Sequence, residues 1–260
     1  MQLEGKQIFI TGGTGGIGIP LVQMLREVGA NVTVYDRGTD GDLVNNLEKV
    51  ATKLSLQTPD ILINMAGFND FNYAEDQDYQ SIVTLNMLVP MRLCQAVLPD
   101  MRRRGHGQIV NIGSMTALIP LPHLTGYVAA KAGLKGFTDS LRRELGGTNI
   151  NVLHVVPRAV RTSMNTGKRA EINERTGVHH DSPEAVAHHI FEAILNNSRE
   201  VRIGWPERFF AFIHANFPRV IDRGLQRNRI VGEEILGKPR AQPVSLYSVK
   251  TETKNQKLGH

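Results

Sequence analysis

A short apolar run that ends in a dense cluster of glycines sets the strongest limit on how this chain can fold. Gln7-Ile8-Phe9-Ile10-Thr11 has the length and composition of a buried strand, and it leads into Gly12-Gly13-Thr14-Gly15-Gly16-Ile17-Gly18. Ile17, Leu21, Met24, Leu25 and Val28 then recur at helical spacing, Pro20 falls in the first turn where a missing N–H costs little, and Gly29 closes the segment. Strand, glycine turn and helix in this order form the layout of a dinucleotide-binding unit. The glycines let the backbone approach a pyrophosphate, which rests on the helix N-terminus. Two frames fit, Gly13-x-Gly15-x-x-Gly18 and Thr11-Gly12-x-x-x-Gly16-x-Gly18. The next strand-like run, 31–35, ends in Asp36, where an acid bonds the ribose hydroxyls of NAD and repels a 2′-phosphate. Arg37 beside it would instead suit the phosphate of NADP, so NAD is expected and NADP is the alternative.

The alternation continues. Leu43, Val44, Leu47, Val50, Ala51 and Leu54 outline one amphipathic helix, and 61–64 is a strand closed by Met65-Ala66-Gly67. A long helix lies within 76–104, ended by Gly105, with Arg102, Arg103 and Arg104 at the end that suits cations. Strand 108–112, a helix running to Leu145, strand 151–156, a helix opened by Ser182-Pro183-Glu184 and a last strand 201–203 follow. Such alternation predicts an α/β fold, a Rossmann-like, doubly wound, mostly parallel sheet with helices on both faces. With 41% hydrophobic and 21% charged residues the composition is ordinary for a globular protein, and one cysteine, Cys94, excludes an intramolecular disulfide framework. Residues 1–6 lack the pattern of a signal sequence and no uninterrupted apolar run approaches ~18 residues, so a cytoplasmic protein without a spanning helix is expected. A net charge of +5 is explained by local basic patches, and a nucleic-acid binder would need a recognition helix or aromatic platform that the sequence lacks.

Tyr127 and Lys131, at i and i+4, share one helix face. An ammonium beside a phenol favours the phenolate, which predicts a Tyr127 pKa lowered towards a useful range for proton transfer. Together with the glycine turn, Asn64-x-Ala66-Gly67, Asn86 and Ser114, in this order, the pair makes residues 5–204 resemble the short-chain dehydrogenase/reductase family. The resemblance implies that Gly12, Gly16, Ile17 and Gly18 cradle the pyrophosphate, Asp36 holds the adenosine ribose, and Asn64, Ala66 and Gly67 line the adenosine side. It implies Tyr127 as proton donor or acceptor and Lys131 as holder of the nicotinamide ribose. Ser114 would bond the substrate oxygen, Asn86 would hold a water linked to Lys131, and Val160 and Thr162 would contact carboxamide and phosphates. The implied activity interconverts an alcohol and a ketone or aldehyde, in a homodimer or homotetramer. A catalytically silent dinucleotide-binding sensor or interaction protein on the same fold is the alternative.

Three departures from the family pattern stand out. Only one helix fits between Asp36 and Asp60, so an edge strand is expected to be shortened or lost, leaving the adenine end more open. Met65 replaces a second Asn. Arg158 follows Pro157 where a glycine is usual and is a candidate for recognising an anionic substrate. Residues 1–204 are expected to form the catalytic domain, with a polar lid at 163–181 that carries Met164, Lys168, Arg169 and Val178. His179, His180, His188 and His189 read as solvated histidines on and before a capped helix, so no metal is expected. Four of the nine phenylalanines (Phe209, Phe210, Phe212 and Phe217) and the only tryptophan, Trp205, crowd an extension at 205–237 interleaved with arginines. That density predicts a cover for the substrate cleft, a subunit interface or a peripheral membrane contact through 205–229, and it favours an apolar substrate. Residues 238–260 are polar and patternless and read as a disordered tail.

Overall fold

The computed structural model describes residues 2–237, so the expectation for 238–260 lies outside the described residues. Six parallel strands, β1 (Gln7–Thr11), β2 (Asn31–Tyr35), β3 (Ile61–Asn64), β4 (His106–Ile112), β5 (Asn149–Val156) and β6 (Glu200–Arg202), form one sheet in the order β2-β1-β3-β4-β5-β6. The order reverses between β1 and β3, with Thr11 level with Asn64 at their carboxyl ends. In a doubly wound sheet the crevice at such a switch point is where ligands bind.

Side-chain alternation along the strands divides the core in two. Ile8, Ile10, Ile61 and Ile63 face helices α1 (Gly18–Glu27) and α8 (Pro183–Leu195), whose Leu21, Leu25, Val186 and Ile190 are buried against them. Phe9, Leu62, Ile109 and Val152 face the opposite way. They meet α3 (Leu47–Leu56), α5 (Val89–Arg104) and α6 (Thr125–Glu144). Each fully buried aliphatic side chain contributes roughly 1.5–3 kcal/mol, so the two layers hold the sheet from both sides.

Between Asp36 and β3 lie only the four-residue helix α2 (Arg37–Asp40) and α3, and β2 is the sheet edge, as expected from the short spacing. Helix α4 (Tyr79–Val83) joins α5 through a π-helical turn, Thr84–Leu88, which places Asn86 in the core. The resulting helix, Tyr79–Arg104, has the length and apolarity to cross a membrane. Val89, Leu93, Val97 and Met101 are nevertheless buried among the second set of core residues. Gly105 adopts a left-handed conformation at its end, and Arg104 donates to the carbonyls of Thr58, Pro59 and His106. Those contacts account for that arginine by structure.

The polar stretch expected as a lid contains a turn at Ser163–Asn165 and a helix, α7 (Lys168–Arg175). The extension forms α9 (Trp205–Asn216), α10 (Pro218–Gly224) and α11 (Gln226–Leu236), with Pro218 at the division between the first two. Helix α11 lies on α7. Val231 and Ile172 share one buried cluster, Arg175 pairs with Glu234, and Arg227 Nη2 donates to the Arg175 carbonyl at 2.8 Å. Phe209, Phe212, Phe217 and Val220 remain exposed.

Candidate active site

A cavity of about 1050 Å³ opens at the switch point, bounded by the glycine turn, Met65 to Asn69, Ser114, Tyr127, Lys131, parts of 162–179 and the start of α9. The glycine turn is shaped by close approach. A Cβ on Gly12 would lie 2.8 Å from Ala66 N, one on Gly16 would lie 2.5 Å from Thr162 Cγ2, and one on Gly18 would lie 2.3 Å from Gly12 O. Gly12 also has φ of +75°, a region that favours glycine. Helix α1 starts after Ile17 with no side-chain cap; Ile19 N is bonded to the Gly15 carbonyl, Leu21 N to the Ile17 carbonyl, and Pro20 has no N–H, so Gly18 supplies the amide at the helix mouth that can face an anion. Ile17, Ala66, Gly67, Val160 and Thr162 all line the cavity. The cradle fits a dinucleotide diphosphate.

Tyr127 is set by the opening of α6. Gln77 Oε1 accepts from Gly126 N at 2.9 Å and Thr125 Oγ1 at 3.2 Å, closing a helix start that has no cap of its own. Gly126 lets Tyr79 and Ile82 approach, since a Cβ there would lie 2.9 Å from the Tyr79 ring. One turn on, Lys131 donates to the Ile112 carbonyl at 2.9 Å, and its Nζ lies 5.7 Å from the Tyr127 ring centroid. Ser114 follows β4, and its Oγ accepts from Thr116 N at 3.2 Å and Thr116 Oγ1 at 2.9 Å, which leaves its own hydroxyl proton free to donate.

Burial dominates the electrostatics. It pushes the Tyr127 phenol up, with Ser114 and then Arg169 pulling it partly back. It drives Lys131 down to about 8. The expected lowering of Tyr127 by Lys131 is therefore corrected for the dinucleotide-free chain, because both groups lie in a desolvated pocket that penalises either charge. His154, on β5, is likewise pushed to about 4 by burial, and neither ring nitrogen has a partner among the described residues.

Asn86 Nδ2 donates to the carbonyls of Phe68 and Ile82, both at 2.9 Å, while its buried Oδ1 has no donor among the described residues. Oδ1 and Lys131 Nζ flank Gly67, at 2.5 and 3.6 Å from where a Cβ would stand. Asn64 departs from expectation. Its side chain turns into the core and donates to Asn111 Oδ1 at 2.8 Å, because the strand alternation points it away from the cavity. Arg158 lines the cavity, but its guanidinium holds Asp181 at 2.6 and 2.8 Å and Glu207 at 3.3 Å. Two carboxylates engage that charge, so Arg158, a candidate for recognising an anionic substrate, ties the cavity wall to Asp181 and Glu207 in this structure. Asp36 caps α2, accepting from Gly38 N at 2.8 Å and Thr39 N at 3.2 Å, and contacts with Thr14 and these amides hold its carboxyl below the usual range. Arg37 points to Asp42 at 3.7 Å.

Of the clustered histidines, His179 lines the cavity and His180 Nε2 lies 3.0 Å from Asn173 Nδ2. Phe210, Pro206 and Glu207 bring the extension into the cavity wall. Sequence reasoning missed Gln77, whose isolated position carries no motif. It noted Arg169 only as a basic lid residue.

A doubly wound sheet with a glycine cradle at its switch point and a Ser, a Tyr and a Lys around one cavity defines a class of dinucleotide-dependent oxidoreductases. The short chain dehydrogenase family model matches residues 39–173. A ketoacyl reductase of Nostoc sp. is 31% identical over 230 residues, covering 76% of this chain and 78% of the relative. A short-chain dehydrogenase from Burkholderia cenocepacia, solved with NADP, shares the fold with a TM-score of 0.74 at 23% identity, over 87% of this chain and all of that one. A 4-hydroxyisoleucine dehydrogenase solved with NADH and succinate matches with a TM-score of 0.66 at 25% identity, over 76% of this chain and 98% of that one. The chain belongs to the short-chain dehydrogenase/reductase family of oxidoreductases.

Proposed function

We propose that this chain is a nicotinamide-dinucleotide-dependent oxidoreductase that interconverts a secondary alcohol and its carbonyl compound. The observation that carries the reading is the convergence of Ser114, Tyr127 and Lys131 on the cavity that also holds the glycine cradle. The backbone of Gly12 to Gly18 would hold the diphosphate, and Lys131 would hold the nicotinamide ribose. When bound, the nicotinamide accepts or supplies the hydride. In oxidation Tyr127 takes the hydroxyl proton as the carbon gives up its hydride, so the alcohol loses two electrons and two hydrogens. In reduction Tyr127 returns the proton while the Ser114 hydroxyl stabilises the forming alkoxide. A water donating to Asn86 Oδ1 and accepting from Lys131 would connect the pair to solvent.

NAD is the favoured cofactor. Asp36 is held ionised at the end of β2, and Arg37 is turned to Asp42. Met115, Ile119, Leu121, Leu124 and Phe210 give the substrate side an apolar wall that suits a hydrocarbon body better than a sugar.

The test is a panel of alcohols and ketones followed by nicotinamide absorbance with both cofactors. Tyr127→Phe should lower kcat by ~10²–10⁴-fold while preserving dinucleotide affinity. Near-normal turnover in that variant overturns the role of Tyr127. Dinucleotide binding without turnover of any pair would instead identify a silent sensor.

A further inference from the structure

Two cations of the cavity lack a carboxylate partner among the described residues: Lys131, which donates to the Ile112 carbonyl, and Arg169. At the α9 wall, the carboxylates of Asp181 and Glu207 are both engaged by Arg158. Arg169, from the first turn of α7, also lines the cavity, yet it has no ion pair or hydrogen bond among the described residues, and its Nε is buried without a partner. Desolvating a guanidinium without an acceptor is costly, and an anion that completes the site offsets that cost. Glu207, the one carboxylate among the lining residues, is held by Arg158. His179 shares the cavity, and His180 is engaged with Asn173.

Arg169 lines the cavity that holds Ser114, Tyr127 and Lys131. The smaller depression beside the glycine turn is bounded by Arg161, Thr162, Ala170 and His180, and Arg169 is not among the residues around it. Arg161 borders that depression and its Nη1 donates to the His180 carbonyl at 3.2 Å, while Arg169 shares the larger cavity with Tyr127, whose phenol it draws down. The planar fork of an arginine pairs with a carboxylate through two parallel hydrogen bonds.

Resting on the oxidoreductase reading above, we propose that Arg169 is a specificity-determining residue that binds the carboxylate of a hydroxy or oxo acid whose carbon body lies on the apolar wall. Arg169 and Tyr127 line one cavity, so an acid group held by the arginine shares the space in which the carbon reacts. Helix α7 thus supplies a charge that only the acidic substrate satisfies, and its hold on α11 keeps that charge in place.

The experiment compares pyruvate, acetoacetate and levulinate, each against its methyl ester, on the full chain and on Arg169→Leu and Arg169→Lys. In the unmodified enzyme kcat/KM should favour at least one acid over its ester. Arg169→Leu should collapse that acid-to-ester ratio by roughly 10–100-fold, with Arg169→Lys intermediate. Dinucleotide affinity by calorimetric titration should hold in both variants. Equal losses for acid and ester, or a drop in dinucleotide affinity in Arg169→Leu, overturn the proposal, the latter assigning the arginine to the cofactor. Should no carbonyl compound turn over at all, the oxidoreductase reading fails separately. Acid binding is then read by thermal shift: an acid that stabilises the unmodified chain but not Arg169→Leu supports the subsite, and no shift in either refutes it.

Discussion

Replacing Lys131 with Met should make the dinucleotide-free protein more stable at neutral pH while destroying its activity. The Lys131 ammonium is buried, and burial lowers its pKa from 10.5 to about 8. A drop of that size corresponds to about 3 kcal/mol. Because the folded pKa is the lower one, the folded chain carries the proton at a penalty below pH ~8. That penalty fades as the pH rises from about 8 to about 10.5, where the folded form has shed its proton and the unfolded form follows. Methionine has a similar shape and no charge, but it removes the hydrogen bond to the Ile112 carbonyl, a loss of about 1 kcal/mol. The balance favours the variant by about 2 kcal/mol at pH 7, or ~4–8 °C in Tm for a chain of this size. Near pH 10.5 the sign should invert, because only the lost hydrogen bond remains. Paired thermal melts across this range measure the difference directly. A variant less stable than the parent at pH 7, or a difference independent of pH, would falsify the argument that Lys131 is held charged against its surroundings for function.

Asp36→Ala should narrow or invert the preference for NAD over NADP in calorimetric titrations, and tighter NADP binding by the unmodified chain would show that Arg37 governs the site. Gly232→Ala places a Cβ 2.3 Å from the His123 ring, which anchors α11 through the Arg229 carbonyl, and should cost ~1–3 kcal/mol on denaturant unfolding; an unchanged midpoint would mean that α11 is loosely seated. The exposed Phe209, Phe212 and Phe217, with Arg219 and Arg223 close by in sequence, predict flotation with anionic liposomes that is lost when the three phenylalanines become serine. Equal flotation of both forms would rule out that face as the contact.

Much of the architecture was legible because local rules and global fold agree. Ile8 and Ile10 against Phe9, and Ile61 and Ile63 against Leu62, declare a strand buried on both faces, and the glycine turn between β1 and α1 declares the switch point. Asp36 and Asn64 show where such rules stop. Both occur at family positions, but Asn64 faces the core, since a motif specifies a residue type and the strand pleat decides which way it points. The charge on Arg158 was visible, while its partners Asp181 and Glu207, distant in sequence, were not. The pKa of Tyr127 eluded the helical spacing for a related reason: spacing identifies the neighbour, and burial by Phe71, Ile82 and Ile172 fixes the dielectric. Helix α7 was concealed by its polarity, its Ile172 and Asn173 being its only buried residues.

The packing of α11 on α7 has a kinetic consequence. A lid that swings alone opens by exchanging a few surface contacts for water. Here opening must also separate Val231 from Ile172 and break the Arg175 contacts with Glu234 and Arg227, unless the whole C-terminal hand travels with the lid. If this stretch opens during turnover, either route would enlarge the moving unit, and product departure is the step expected to limit the rate. Viscosity would then limit the rate more than isotopic substitution of the transferred hydrogen, and changes along α11, remote from any reacting atom, would set the tempo of the enzyme.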